Sequence, residues 1–283
     1  MRPSTTEFTP DPEAPLTRSR LLTLTASLAT TLTVLVGLVA TPANAASTVR
    51  YVALGDSYSS GVGAGSYTAE SGSCQRSTNA YSALWAAANA PASYVSVACS
   101  GATTSTVASS QLSALSSTTT LVSITIGGND MGFSTIMRTC ALYGTTECVA
   151  SVQAAEDKAN STLNGLLTTL YGKIRAKAPN AKVVVLSYPV FYQLNTFCVG
   201  LSATSHAKID EGINLIDNIT KTAAQASGFV FADVRSIFVG HQLCSGDKWL
   251  HALNFAELSV SYHPFASGQS GGYYPVFRSA AAA

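Results

Sequence analysis

Four short clusters in this chain carry residues that could do chemistry together. The first is Gly55-Asp56-Ser57-Tyr58-Ser59-Ser60-Gly61, the second Ala98-Cys99-Ser100-Gly101-Ala102 and the third Gly127-Gly128-Asn129-Asp130. The fourth, near the C-terminus, is Ser261-Tyr262-His263-Pro264. A serine on a turn between a strand and a helix is exposed, with helix N-terminal amides beside it, which suits a nucleophile that must also stabilise an oxyanion. Gly101 lets a backbone N–H approach a ligand with no side chain in the way. The side chain of Asn129 can donate to developing negative charge, a role worth about a hundred- to a thousandfold in rate. His263 supplies an imidazole able to act as general base. Taken alone, the first cluster reads equally well as a glycine- and serine-rich turn.

The elements around the clusters decide between those readings. Tyr51–Leu54, Tyr94–Ala98, Leu121–Ile126, Lys182–Ser187 and Phe229–Ala232 are short apolar runs that read as buried strands. Between them lie helical patterns. Leu163, Leu166, Leu167, Leu170 and Ile174 mark one apolar face, and Ile209, Ile213, Ile216, Ile219 and Ala223 mark another that stops at Gly228. Strands alternating with helices predict an α/β fold, a parallel sheet of about five strands with helices on both faces. Ligands of such sheets bind beyond the carboxyl ends of the strands, where three of the four clusters fall.

Composition narrows the class further. Of 283 residues, 47% are hydrophobic and 11% charged, with a formal net charge of +1. No basic face is available for a nucleic-acid partner, and the apolar fraction is too high for an acidic disordered chain. The six cysteines include no C-x-x-C pair, so no metal site is expected. Arg18 and Arg20 precede an uncharged run from Leu21 to Ala40, which ends in Ala43-Asn44-Ala45 ahead of Ala46. Positive flank, apolar run and small-residue cleavage motif predict a secretory signal over 1–45 and a domain over 46–283. The alternative, a permanent anchor, fits less well because the run is rich in threonine and ends in the cleavage motif. The expected product is extracellular, monomeric and without stable membrane insertion. An even number of cysteines in an oxidising compartment predicts disulfides, most simply between sequence neighbours: Cys74–Cys99, Cys140–Cys148 and Cys198–Cys244.

Ser57, Gly101, Asn129 and His263, in that order and spacing, resemble the blocks of the SGNH, or GDSL, hydrolase family. The wording of Ala53–Gly61 and Ile124–Asp130 is similar to the family's secreted actinomycete lipases and phospholipases A1. The resemblance implies a three-layer α/β/α sandwich and ester hydrolysis through an acyl-enzyme on Ser57, with His263 as base and no cofactor. It also implies an oxyanion hole made by the N–H of Ser57, the N–H of Gly101 and the side chain of Asn129. The expected partner is a lipid or another ester. Other readings are an esterase that removes O-acetyl groups from carbohydrate, and a secreted binding module that keeps the fold without turnover.

Two positions depart from the family pattern. The fourth letter of the first motif, commonly Leu, is Tyr58, a change expected to leave the chemistry intact. The family commonly places Asp three residues before the His, and here Val260 stands there. Glu257, the nearest upstream acid, is six residues from His263 and badly placed. The N–H at Nδ1 of His263 still needs an acceptor. The resemblance to secreted actinomycete members, some of which use a main-chain oxygen, implies a backbone carbonyl of Val260–Ser261, and that of Ser261 is the expected one. Gly268-Gln269-Ser270-Gly271-Gly272 imitates a nucleophile elbow, but no strand precedes it and every histidine comes before Ser270. His206 reads as a solvated helix-start residue. His241 and His251 read as surface-loop residues outside the site, and Asp56 and Asp130 as structural hydrogen-bond partners.

Overall fold

The computed structural model describes residues 47–283, so the segment expected to be a signal lies outside the described residues. The chain runs β1 (Arg50–Gly55), α1 (Ser57–Ser60), α2 (Tyr81–Asn89), β2 (Ser93–Ser96), α3 (Thr104–Thr106) and β3 (Leu121–Thr125). It continues through α4 (Phe133–Tyr143), α5 (Thr145–Lys158), α6 (Asn164–Lys177), β4 (Lys182–Leu186), α7 (Ala203–Ala226), β5 (Val230–Ala232) and α8 (Tyr274–Ala282). All five strands pair in parallel, in the order β2-β1-β3-β4-β5. The five apolar runs read from the sequence are these strands, with β1 one residue longer at each end, β2 shifted by one or two residues and β3, β4 and β5 each one residue shorter.

Side-chain alternation along the strands builds two cores. Tyr51, Ala53, Leu121, Val184 and Leu186 point to a core shared with Tyr81 and Trp85 of α2 and Phe277 of α8. Val52, Leu54, Val122, Val183 and Val185 point to the opposite core, filled by Leu163, Leu167, Leu170 and Ile174. Both faces of the sheet are therefore buried, which is why its strands read as nearly continuous apolar runs. The α6 stripe is rotated from the predicted face. Tyr171 is fully buried while Leu166 is 38% exposed, because the buried stripe centres on Leu167, Leu170 and Ile174 and Leu166 lies at its edge. Helix α7 serves both cores, through Ile209 and Ile213 at one end and Ala223 and Ala224 at the other. Gly228, with φ of +67°, follows it in the left-handed conformation that ends a helix.

The strand order reverses between β1 and β3, so the chain leaves their carboxyl ends in opposite directions and opens a crevice there. Loops from both strands line that crevice. The cysteine pairs are Cys74–Cys99, Cys140–Cys148 and Cys198–Cys244. The first joins the segment after α1 to the loop that carries Gly101, and the second ties α4 to α5. Each such link stabilises by about 2–4 kcal/mol, largely by restricting the unfolded chain. Among the described residues, no helix is long and apolar enough to cross a membrane.

Gly55 ends β1 at φ of +118°, and a Cβ there would collide with the Thr125 carbonyl and come within 2.8 Å of Ser59 Oγ. Gly55→Ala should lower stability by about 3 kcal/mol, from backbone strain plus the clash. Urea denaturation measures this, and a change below about 0.5 kcal/mol would show that the β1–α1 turn is not so confined.

Candidate active site

The turn after β1 is fixed by polar groups that the sequence places locally. Asp56 caps α1: its Oδ1 accepts from the Tyr58 N–H at 3.0 Å and from Thr125 Oγ1 at 2.7 Å. Its Oδ2 accepts from the Tyr188 hydroxyl. Burial pushes the Asp56 carboxyl up to about 6, against the pull of these donors. Gln111 clamps Gly55 from the other side, its Oε1 accepting the Gly55 N–H at 2.8 Å and its Nε2 donating to the Gly55 carbonyl at 2.9 Å. Ser57 follows as the first residue of α1. Its backbone N–H and that of Gly101 have no protein acceptor among the described residues.

The loops carrying Gly101 and Asn129 are held to each other and to β1. The Cys99 N–H donates to the Gly55 carbonyl at 3.0 Å, and Asn129 Nδ2 donates to the Ala102 carbonyl at 3.0 Å. One N–H of the Asn129 amide is thus anchored and its other remains for a ligand. Gly101 has φ of +77°, a conformation suited to glycine. Asp130 accepts from the Thr104 N–H and hydroxyl, so it braces the loop, as Asp56 braces α1.

The histidine arrives from the far end of the chain. His263 Nε2 lies 2.7 Å from Ser57 Oγ, across 206 residues of sequence. Its Nδ1 lies 3.0 Å from the Ser261 carbonyl oxygen. A carbonyl can only accept, so Nδ1 carries the proton and Nε2 presents its lone pair to the serine hydroxyl. Val260 is buried at the end of the 3₁₀ turn Leu258–Val260 and Glu257 is exposed just ahead of that turn, so no carboxylate stands in this place. The segment is framed by backbone pairing: the His251 N–H donates to the His263 carbonyl at 2.9 Å, and the Tyr262 N–H to the His251 carbonyl at 2.8 Å. Burial, helped by nearby His251, lowers the His263 imidazole from 6.5 to about 4, while the Ser261 carbonyl pulls the other way.

Ser57, Asn129, Phe133, Tyr188, Phe191 and Ile213 line a cleft of about 380 Å³. A second apolar cleft of about 400 Å³, between α4, α5 and α7, shares Phe133, Ile213 and Ile216 with it. Among the described residues, no three His, Cys, Asp or Glu side chains are grouped to hold a metal ion.

A family model described as GDSL-like Lipase/Acylhydrolase family matches residues 53–270, most of the chain. The chain belongs to that family. It is 53% identical over 231 residues to Lipase 1 of Streptomyces coelicolor, covering 82% of this chain and 86% of the relative. Phospholipase A1 from Streptomyces albidoflavus NA297 superposes with a TM-score of 0.80 at 52% identity, covering 82% of this chain and 98% of that one. The extracellular lipase from Streptomyces rimosus gives a TM-score of 0.80 at 50% identity, covering 82% and 99% respectively. The fold is the three-layer α/β/α sandwich of these hydrolases.

Two histidines differ from their sequence reading. His206 is buried, not solvated: it stands on the α7 face of Ile209 and Ile213, and its ring stacks on Tyr192 at 3.9 Å. His251 is not a bystander, because its Nε2 lies 2.8 Å from the Gly63 carbonyl and links the histidine segment to the loop after α1. Gly268–Tyr273 is helical and continues into α8, which removes the elbow geometry from Ser270. Tyr188 and Gln111, which hold Asp56 and Gly55, had no sequence signal, since each lies far along the chain from the turn it braces.

Protonation of His263 would put a proton on Nε2 and remove the acceptor for Ser57. Because burial lowers this imidazole, kcat/KM for a soluble ester should keep its plateau below pH 6.5 and fall through about pH 4. An acid limb centred at or above pH 6.5, measured with brief exposures at each pH, would contradict the buried, neutral imidazole.

Proposed function

We propose that this chain hydrolyses carboxylic esters of medium or long acyl chains, with Ser57 as nucleophile and His263 as general base. One observation carries the reading: the hydroxyl of Ser57 is hydrogen-bonded to a neutral, buried imidazole at the mouth of an apolar cleft. Family membership and relatives of about half identity that are named lipases and a phospholipase A1 support the same chemistry.

The steps follow from the geometry. Ser57 Oγ attacks the ester carbonyl carbon as His263 Nε2 takes its proton. The carbonyl oxygen becomes an oxyanion, which the N–H groups of Ser57 and Gly101 and the free N–H of Asn129 receive. Collapse breaks the bond to the alcohol oxygen, and Nε2 returns the proton to the departing alcohol. Water then attacks the acyl-Ser57 carbonyl, its proton passing to Nε2 and on to Ser57 Oγ as the acid leaves. The Ser261 carbonyl keeps the imidazole in the orientation that both halves of the cycle need.

The acyl group has an apolar place to go. Phe133, Phe191 and Ile213 flank the serine, and the second cleft continues past Met137, Val152 and Gly212. That lining favours a hydrocarbon chain over the acetyl group of a carbohydrate. The reading also includes export, with 1–45 as a signal removed on secretion and 46–283 as the working domain. The charge pattern before Ala46 supports it, as does a relative named an extracellular lipase.

Each methylene buried in the cleft is worth about 0.8 kcal/mol. For nitrophenyl esters, kcat/KM should therefore rise about threefold to fourfold per methylene beyond acetyl until the cleft is filled. A panel of acyl lengths and phospholipid vesicles, with Ser57→Ala as the blank, measures this. Activity confined to acetyl esters would favour deacetylation, and full activity in Ser57→Ala would remove the serine from the reaction.

A further inference from the structure

Tyr58 occupies the one position of the first motif that departs from the usual leucine, and every polar atom it has is engaged. Its N–H donates to Asp56 Oδ1 at 3.0 Å, and its carbonyl accepts from Gln269 Nε2 at 3.1 Å. Its hydroxyl donates to the backbone carbonyl of Tyr262 at 2.8 Å, a bond that spans 204 residues of sequence. Its ring lies 5.1 Å from the His263 ring and meets Tyr188 edge-on at 5.0 Å. Burial, reinforced by Asp56, pushes the phenol well above its ordinary value, so the hydroxyl stays protonated, and because a carbonyl only accepts, the hydroxyl is the donor here.

The acceptor of that bond is unusual. Tyr262 has φ of +67°, a left-handed conformation that a bulky residue holds only when its surroundings impose it. The residue before it supplies the carbonyl that receives His263 Nδ1–H, and the residue after it is His263 itself. The peptide units that fix the direction of the imidazole therefore turn through a strained residue. In a site with a carboxylate as third member, a side chain could adjust to the imidazole. A main-chain carbonyl cannot, so its aim depends on whatever pins the backbone.

We infer that the Tyr58 hydroxyl is that pin: a positioning group which, by holding the Tyr262 carbonyl, keeps the Ser261 carbonyl aimed at His263 and couples the nucleophile's turn to the base's turn. The inference rests on the assignment of Ser57 and His263 in the proposed function. The Tyr58 ring lines the cleft beside Ser57 but its hydroxyl faces the Tyr262 carbonyl, so loss of the hydroxyl alone should appear in the chemical step and leave substrate binding alone.

The test compares Tyr58→Phe, which keeps the ring and removes the hydroxyl, with Tyr58→Leu, which removes both. Tyr192→Phe is the control, because its hydroxyl donates to the side chain of Tyr262 at 3.2 Å and does not reach the carbonyl. Turnover is normalised to sites titrated with a fluorophosphonate, so that unfolded protein does not count. In Tyr58→Phe, kcat and the rate of Ser57 phosphonylation should both fall about tenfold, with KM within about twofold of the parent. Tyr58→Leu should lose at least as much per titrated site, and Tyr192→Phe should keep its kcat. Unchanged kcat and labelling in Tyr58→Phe, or an equal loss in Tyr192→Phe, overturns the inference. Turnover that persists in Ser57→Ala overturns the underlying assignment instead, whatever Tyr58→Phe does.

Discussion

A single hydrogen bond from His263 Nδ1–H to the Ser261 carbonyl orders the whole site. It fixes the tautomer, and the tautomer decides that Nε2 is an acceptor facing Ser57 Oγ at 2.7 Å. A carboxylate in this place would add a charge that favours the imidazolium; a carbonyl offers only a dipole. The imidazole consequently sits where burial puts it, low at about 4. That keeps the base free over a wide range of pH. In the proposed reaction the cost is a weaker hold on the proton during attack, which puts more of the burden on the oxyanion donors and on placement.

Placement is where the structure concentrates its polar contacts. Two groups of residues far apart in sequence grip each other: the β1–α1 turn, held by Asp56, Gln111 and Ser59, whose Oγ accepts the Thr125 N–H at 2.9 Å, and the histidine segment, held by pairing with His251. Tyr58 and the His251–Gly63 contact bridge them. The buried Asp56 carboxyl has three donors around it, which offsets the desolvation that would otherwise loosen the turn. These contacts rest on the parallel sheet, whose strand order opens the crevice between β1 and β3 in which all the loops meet.

Much of this was legible in the chain. The five strands announced themselves because a sheet buried on both faces gives short, nearly continuous apolar runs. Three of the four clusters stood out because they follow strand ends, and all four because their order matches the blocks of the family the chain resembles. Even the missing acid was visible as Val260, and the resemblance to secreted actinomycete hydrolases pointed to a backbone carbonyl in its place. What stayed hidden was set by tertiary contact. Tyr58 looked like a neutral exchange for leucine, since nothing local reveals that its hydroxyl meets Tyr262. His206 looked solvated, although its spacing from Ile209 and Ile213 placed it on their face. Tyr188 and Gln111 carry no local signature at all, because their partners lie across the sheet.

The claim on which the rest depends is that a main-chain carbonyl holds a neutral His263 with its proton on Nδ1. Long-range nitrogen–proton correlation spectra of the imidazole at pH 7, in protein labelled at histidine nitrogens, report it directly. Comparison with a His263→Gln sample assigns the signals. The account predicts a neutral ring protonated at Nδ1, with Nε2 bare and shifted on replacement of Ser57 by alanine. An imidazolium at that pH, or a neutral ring protonated at Nε2, would contradict it.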